Sequence, residues 1–206
     1  IYGRGGRLYA RNTLFQSNRS LYGGAVDVSD MDATFKACSF KDNTASTGDM
    51  MGRGGALFVG GFVDGTHDKL TIEGCSFTNN GANLHGGALC VNSIVREAVI
   101  TNTTFAGNWV LQKGANWACG GAVYFENSNN DRGTRRIESC TIVGNTAIYD
   151  GYHVEAAAIG GGIYANTGKY QAVEVRNSII VGNSASVTDA AQRGENNAAF
   201  HAEHDG

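Results

Sequence analysis

Gly86-Gly87-Ala88-Leu89, followed by Thr104-Phe105-Ala106-Gly107-Asn108, decides the fold of this chain, because both segments recur in alternation along it. The other openings are Gly5-Gly6-Arg7-Leu8, Gly23-Gly24-Ala25-Val26, Gly54-Gly55-Ala56-Leu57, Gly120-Gly121-Ala122-Val123 and Gly160-Gly161-Gly162-Ile163. The other closings end in Phe15-Gln16-Ser17-Asn18, Phe40-Lys41-Asp42-Asn43, Phe77-Thr78-Asn79-Asn80, Ile142-Val143-Gly144-Asn145 and Ile180-Val181-Gly182-Asn183. From each pair to its closing Asn the distance is 13, 20, 26, 22, 25 and 23 residues, whereas successive pairs stand 18, 31, 32, 34 and 40 apart. Length variation thus falls largely in loops. A unit of this size cannot bury its own apolar face, so neighbouring units must stack.

Alternation within the units assigns the faces. In Ala25-Val26-Asp27-Val28 the valines point inward, since burying Asp27 unpaired would cost several kcal/mol. In Leu70-Thr71-Ile72-Glu73 the aliphatics go in, and in Cys75-Ser76-Phe77 the cysteine and phenylalanine share the inner face. Each unit carries three apolar runs. In the fifth they are Gly121-Ala122-Val123-Tyr124-Phe125, Arg136-Ile137-Glu138-Ser139 and Cys140-Thr141-Ile142-Val143. Three short strands per unit, bent at Gly or Asn, wind an all-β parallel β-helix of about six coils, roughly 4.8 Å apart. Its closing residues Asn18, Asn43, Asn80, Asn108, Asn145 and Asn183 are expected to stack into a ladder at left-handed bends.

The Gly-Gly-Ala-(Val/Leu) openings, with runs such as Val99-Ile100-Thr101-Asn102-Thr103-Thr104-Phe105-Ala106-Gly107-Asn108, resemble the polymorphic outer-membrane protein repeat and related bacterial β-helix repeats. The resemblance spans Gly5 to Asn183. It implies a right-handed parallel β-helix and an exported protein at a cell surface, often the passenger of an autotransporter. Departures are Ile142 and Ile180 in place of Phe, Arg7 in place of Ala, and the lack of a membrane β-barrel in this chain.

With 206 residues, 42% hydrophobic and 17% charged, the chain can build a packed core. We expect a β-helix over 1–187 and an irregular tail or degenerate last coil over 188–206. A net charge of -3 leaves no basic footprint for nucleic acid or for a membrane surface. No run nears the ~18 apolar residues of a spanning helix. A start at Ile1 suits a mature product or a fragment.

Cys38, Cys75 and Cys140 occupy one inward slot, where other units have Thr13, Thr103 and Ser178. Cys38 and Cys75 fall on successive coils, within disulfide range if stacked, and two small core thiols are the alternative. Cys90 points outward, and Cys119 is out of register with it. The loops from a closing Asn to the next glycine pair gather along one edge. They carry Trp109, Trp117, Tyr149, Tyr152, His153 and Glu155, which either bind a protein or sugar face or fold back over the core. Tyr9, Asp27, Phe58, Cys90, Tyr124 and Tyr164 form an outward column on the first strand, available for docking or for cross-coil stacking. His201, Glu203, His204 and Asp205 lack an accepted metal spacing, and no cofactor motif occurs.

Parallel β-helices also carry polysaccharide lyases and glycoside hydrolases, which need clustered carboxylates on the outer surface. Glu138 and Glu174 offer one conceivable pair, with Arg176 beside them as an ion-pair partner. The sequence favours a non-catalytic extracellular or cell-surface protein that binds a protein or surface glycan through its loop insertions. A lyase or hydrolase fragment is the alternative, and uncapped ends would permit end-to-end self-assembly.

Overall fold

The structure, a computed structural model, describes residues 1–46, 48, 51–60, 69–92, 95–114, 116–126, 134–151, 156–167, 172–188 and 200–204. One coil illustrates the plan: Leu89–Val91, Glu97–Thr101, Thr104–Ala106 and Trp109–Gln112 each join a different sheet. The first sheet climbs from Tyr2–Arg4 through Val26–Ser29, Leu57–Gly60, Leu89–Val91, Val123–Phe125 and Ile163–Thr167 to Phe200–His204. The second climbs from Arg7–Arg11 to Ala172–Arg176, the third from Leu14–Gln16 to Ile179–Val181, and the fourth from Arg19–Ser20 to Ser184–Val187. Pairing is parallel throughout and joins successive coils, as in Leu57↔Leu89↔Val123. This is a parallel β-helix.

The first three sheets enclose the main core. Val26, Leu57, Leu89, Val123 and Ile163 meet Phe35, Ile72, Ile100 and Ile137 across it. The third side is a pile of rings: Phe15, Phe40, Phe77 and Phe105 stack with centroids 4.6, 4.5 and 4.8 Å apart. Ile142 and Ile180 continue that column in register. The fourth strand of each coil, beyond the three runs the sequence shows, has a small core of its own. Ala45, Ala82, Val110, Ala147 and Ala185 line it. Arg135 is fully buried in the inward slot that Ala98 and Val173 hold on neighbouring coils.

Two polar columns hold the corners. Asn43 Nδ2 donates to Asn80 Oδ1 at 2.9 Å and to the Phe15 carbonyl at 2.9 Å. Its own Oδ1 accepts from the backbone and side-chain nitrogens of Asn18 at 3.0 and 2.9 Å. The scheme repeats through Asn80, Asn108 and Asn145 to Asn183, so each interior amide spends all its donors and acceptors. The second column is Thr13, Cys38, Cys75, Thr103, Cys140 and Ser178. Each of these side chains donates to the carbonyl two residues back. Cys75 Sγ, Thr103 Oγ1 and Ser178 Oγ also accept the amide of the preceding coil, from Cys38, Cys75 and Cys140. Only Cys, Thr or Ser can do both jobs there. All five cysteines are free thiols, and burial pushes the Cys75 thiol up to about 11.

The left-handed bends sit one residue before the ladder asparagines, at Ser17, Asp42, Asn79, Gly107, Gly144 and Gly182. This corrects the sequence expectation, which put the bend on the asparagine itself. A second left-handed column precedes the Cys/Thr slot, at Asn12, Ala37, Gly74, Asn102, Ser139 and Asn177.

The glycine pairs have two separate causes. A Cβ on Gly86 (φ +63) would lie 2.2 Å from the Leu89 carbonyl oxygen, and one on Gly87 would lie 2.0 Å from that of Gly121 on the next coil. The first glycine therefore serves the turn and the second serves coil-to-coil approach. Gly5-Gly6 is not such a pair: both have positive φ and open space around them. Tyr9 accordingly lies in the second sheet opposite Thr34, and Tyr2 takes the slot opposite Asp27. The short 13-residue distance to Asn18 and the Arg at position 7 were the signs of this in the sequence.

Candidate functional site: a cleft on the outer face of the first sheet

The residue just before each glycine pair forms its own column: Tyr22, Arg53, His85, Cys119 and Ile159, linked by parallel bridges. Because the glycine turn folds tightly against the first sheet, these side chains lie over the outward residues of the following coil. The Tyr22 ring sits 5.1 Å from Phe58, and His85 stacks on Tyr124 at 4.1 Å and 11°. Tyr124 stacks in turn on Tyr164 at 5.3 Å.

The long loops complete the cover. Ala118–Cys119 and Ala158–Ile159 pair as a two-stranded sheet. Its alanines pack on the alanine column of the fourth sheet, while Cys119 and Ile159 pack with Cys90, Tyr124 and Tyr164. The outward column is consequently covered rather than displayed. Tyr124 is 6% exposed, Tyr164 3% and Cys90 0%, so on these coils the column stacks beneath its cover, the second of its two readings, and Cys90 faces outward but is buried.

Between this covered face and the loop edge lies a cleft of about 390 Å³. Tyr124, Tyr164 and Asn166 line the sheet side, Arg53, His85 and Cys119 the turn side, and Met51, Asn116 and Trp117 the loop side. Arg53 Nη1 reaches Glu126 Oε1 at 3.0 Å, with both side chains about three-quarters buried. Burial and the nearby Arg53 charge push His85 down to about 3, so its ring is neutral near pH 7. Burial likewise raises Tyr124 above the usual tyrosine range and keeps it un-ionised. Four buried polar atoms around this region have no hydrogen-bond partner: Arg53 Nε, His85 Nδ1, Glu126 Oε2 and Asn166 Oδ1.

Of the aromatics singled out in the sequence, Trp117, Tyr124 and Tyr164 come together at this cleft, with Trp117 40% exposed at its rim. Trp109 does not join them. It is half-buried on the fourth sheet, and its indole lies over Gly81, where a Cβ would fall 2.1 Å from the ring. Tyr149 is fully buried and donates to the Gly114 carbonyl at 3.0 Å, so it ties down the insertion of the preceding coil. Tyr152, His153 and Glu155 lie outside the described residues. Arg53, His85, Glu126 and Asn166 were missed. For two of them the signal was their place immediately before a glycine pair.

The outer face of the second sheet is a charge lattice. Glu138 stands opposite Arg176 and Glu174 opposite Arg136, so the two acids are offset rather than equivalent. Arg176 also holds Glu174 at 3.0 Å. Lys36–Glu73 at 2.7 Å and Lys69–Glu97 at 2.9 Å continue the pattern. Among the described residues no group of His, Cys, Asp and Glu is arranged to hold a metal ion, and no helix is long and apolar enough to cross a membrane.

The coil geometry places Gly74 through Asn92 across one full glycine turn. Residues 74–92 match the Chlamydia polymorphic membrane protein repeat. The match covers the closing Phe77 and Asn80 and the following Gly86-Gly87 pair. The chain thus carries a repeat of outer-membrane and cell-surface proteins. No curated protein and no solved structure matches the chain significantly.

Proposed function

We propose that this chain is the extracellular β-helix of an autotransporter-type surface protein, a stiff non-catalytic rod that docks a protein or glycan partner through its loop-built edge. One observation carries the reading: the described ends of the two long insertions, Ala118–Cys119 and Ala158–Ile159, pair as a small sheet with Trp117 beside a polar cleft. Repetition builds the rod, whereas this edge is the part of the repeat array that does not repeat. The neighbouring face favours no hydrolytic acid pair, because Glu138 and Glu174 each face an arginine.

The test is binding of the purified, fluorescently labelled chain to intact candidate partner cells, with Trp117→Ala and a variant shortened between 113 and 117 as comparisons. Saturable binding that both variants weaken supports the proposal. Equal binding by all three chains, or reproducible cleavage of any member of an acidic and neutral polysaccharide panel, overturns it.

A further inference from the structure

We infer that the cleft between Trp117 and the Tyr124–Tyr164 stack is a subsite for an uncharged sugar ring, a neutral hexopyranose at the end or along the chain of a glycan. The inference deepens the proposed docking role and rests on it for biological meaning, although the site is defined by its own chemistry. Three observations converge on it.

The first is the set of unmatched polar atoms. Buried polar groups are ordinarily paired, and each unpaired one is costly. Three of the residues lining the cleft each carry one such atom: Arg53 Nε is a donor, Asn166 Oδ1 an acceptor, and His85 Nδ1 either according to its tautomer. A polyol answers such a mixed set, because every hydroxyl both donates and accepts. A phosphate or carboxylate would meet the Asn166 carbonyl oxygen with repulsion.

The second is charge. The Arg53 guanidinium is already matched by Glu126 at 3.0 Å, and His85 is neutral, so these groups give the cleft no net charge to recruit an anion. The third is shape. About 390 Å³ falls in the range of small-ligand sites, and the exposed Trp117 indole supplies a flat apolar wall for the C–H face of a pyranose. An extended peptide has no corresponding place here, since the first-sheet strands beneath the cleft are hydrogen-bonded on both edges by neighbouring coils.

Trp117 fluorescence and ligand-observed NMR on the full chain test this directly, with methyl glycosides of glucose, galactose, mannose and N-acetylglucosamine as probes and glucuronate and inorganic phosphate as anionic controls. We expect one or more neutral glycosides to bind with a roughly millimolar dissociation constant, as a single ring permits. Asn166→Ala and Trp117→Ala should each weaken it about tenfold with unchanged far-ultraviolet circular dichroism. If one variant misfolds, the other still decides. Preference for the anions, or neutral binding unaffected by both variants, overturns the subsite. So does a crystal structure with ordered water on the Arg53, His85 and Asn166 atoms and no response to any glycoside. Cell binding that persists while the sugar response is absent sinks the subsite alone and leaves the docking role standing.

Discussion

The asparagine corner and the outer cleft are both built from polar atoms withdrawn from water, and they treat those atoms in opposite ways. At the corner, every interior amide from Asn43 to Asn145 meets its full set of partners through one bonding scheme repeated on each coil. In and beside the cleft, residues of different types, Arg53, His85 and Asn166 with Glu126 behind Arg53, leave one atom each unmatched. Identical residues at a constant slot can satisfy one another because each offers what its neighbour lacks. Mixed residues cannot. The repeated columns thus hold the rod together, and the irregular column is where a second molecule has something to gain by binding.

The sharpest test of this division lies in the glycines. Gly87→Ala should cost well above about 3 kcal/mol, since its Cβ would strike the Gly121 carbonyl oxygen at 2.0 Å in a stack that cannot part. Gly6→Ala, at φ +86 but in open space, should cost only about 1–2 kcal/mol. Urea unfolding of both chains checks this; similar losses would mean that the first pair also sits between coils.

Next in size is the ladder. Asn80→Ala removes an amide whose Oδ1 serves Asn43 and whose Nδ2 serves Phe40 and Asn108. Several buried groups are orphaned at once, so a loss of about 3–5 kcal/mol is expected. Asn18→Ala, at the end of the column, gives up a single side-chain bond to Asn43 and should cost about 1 kcal/mol. A flat response along the column would show that the asparagines act as independent turn residues.

The cleft responds to pH where the ladder does not. His85 in the folded chain titrates at about 3, against about 6.5 when unfolded. Between those values the unfolded chain binds a proton that the folded one refuses. Stability is therefore full above about pH 6.5 and falls as the pH drops toward 3. From pH 7.5 to 4.5 the loss should reach about 2.7 kcal/mol, and His85→Gln should remove it. Comparing the two chains cancels the carboxylates that titrate in the same range. Equal losses would place the sensitivity elsewhere.

How much of this was readable beforehand follows from the same contrast. Phe40, Phe77 and Phe105 announce their shared column because type and offset recur together, and so do the asparagines that follow them. The fourth strand was hidden because two-residue segments such as Thr44–Ala45 and Gly81–Ala82 carry too little periodicity to register. Burial of Tyr124 and Tyr164 was hidden because it depends on loops from other coils folding back, a tertiary event that alternation within a strand cannot encode. Arg53 and His85 escaped because nothing in residue type links them, although both precede a glycine pair. Gly5-Gly6 misled in the reverse direction, having the motif without the crowded environment that gives the motif its purpose.

The smallest effect expected is a gain. Ala37 holds φ +50 at the corner where the next coil has Gly74 at φ +62, and both positions are exposed. An L-residue in this region costs about 1–2 kcal/mol, while glycine costs about 0.5–1 kcal/mol in added freedom of the unfolded chain. Ala37→Gly should then stabilise by about 0.5–1 kcal/mol, because no buried methyl contact is lost in exchange. Gly74→Ala should destabilise by a similar amount, having open space for its Cβ but the same strained backbone. Joined in one chain, the two changes should nearly cancel in urea unfolding. A double variant much weaker than the sum of its parts would mean that neighbouring corners sense one another, and that the coils are less independent at their bends than the open space around Gly74 implies.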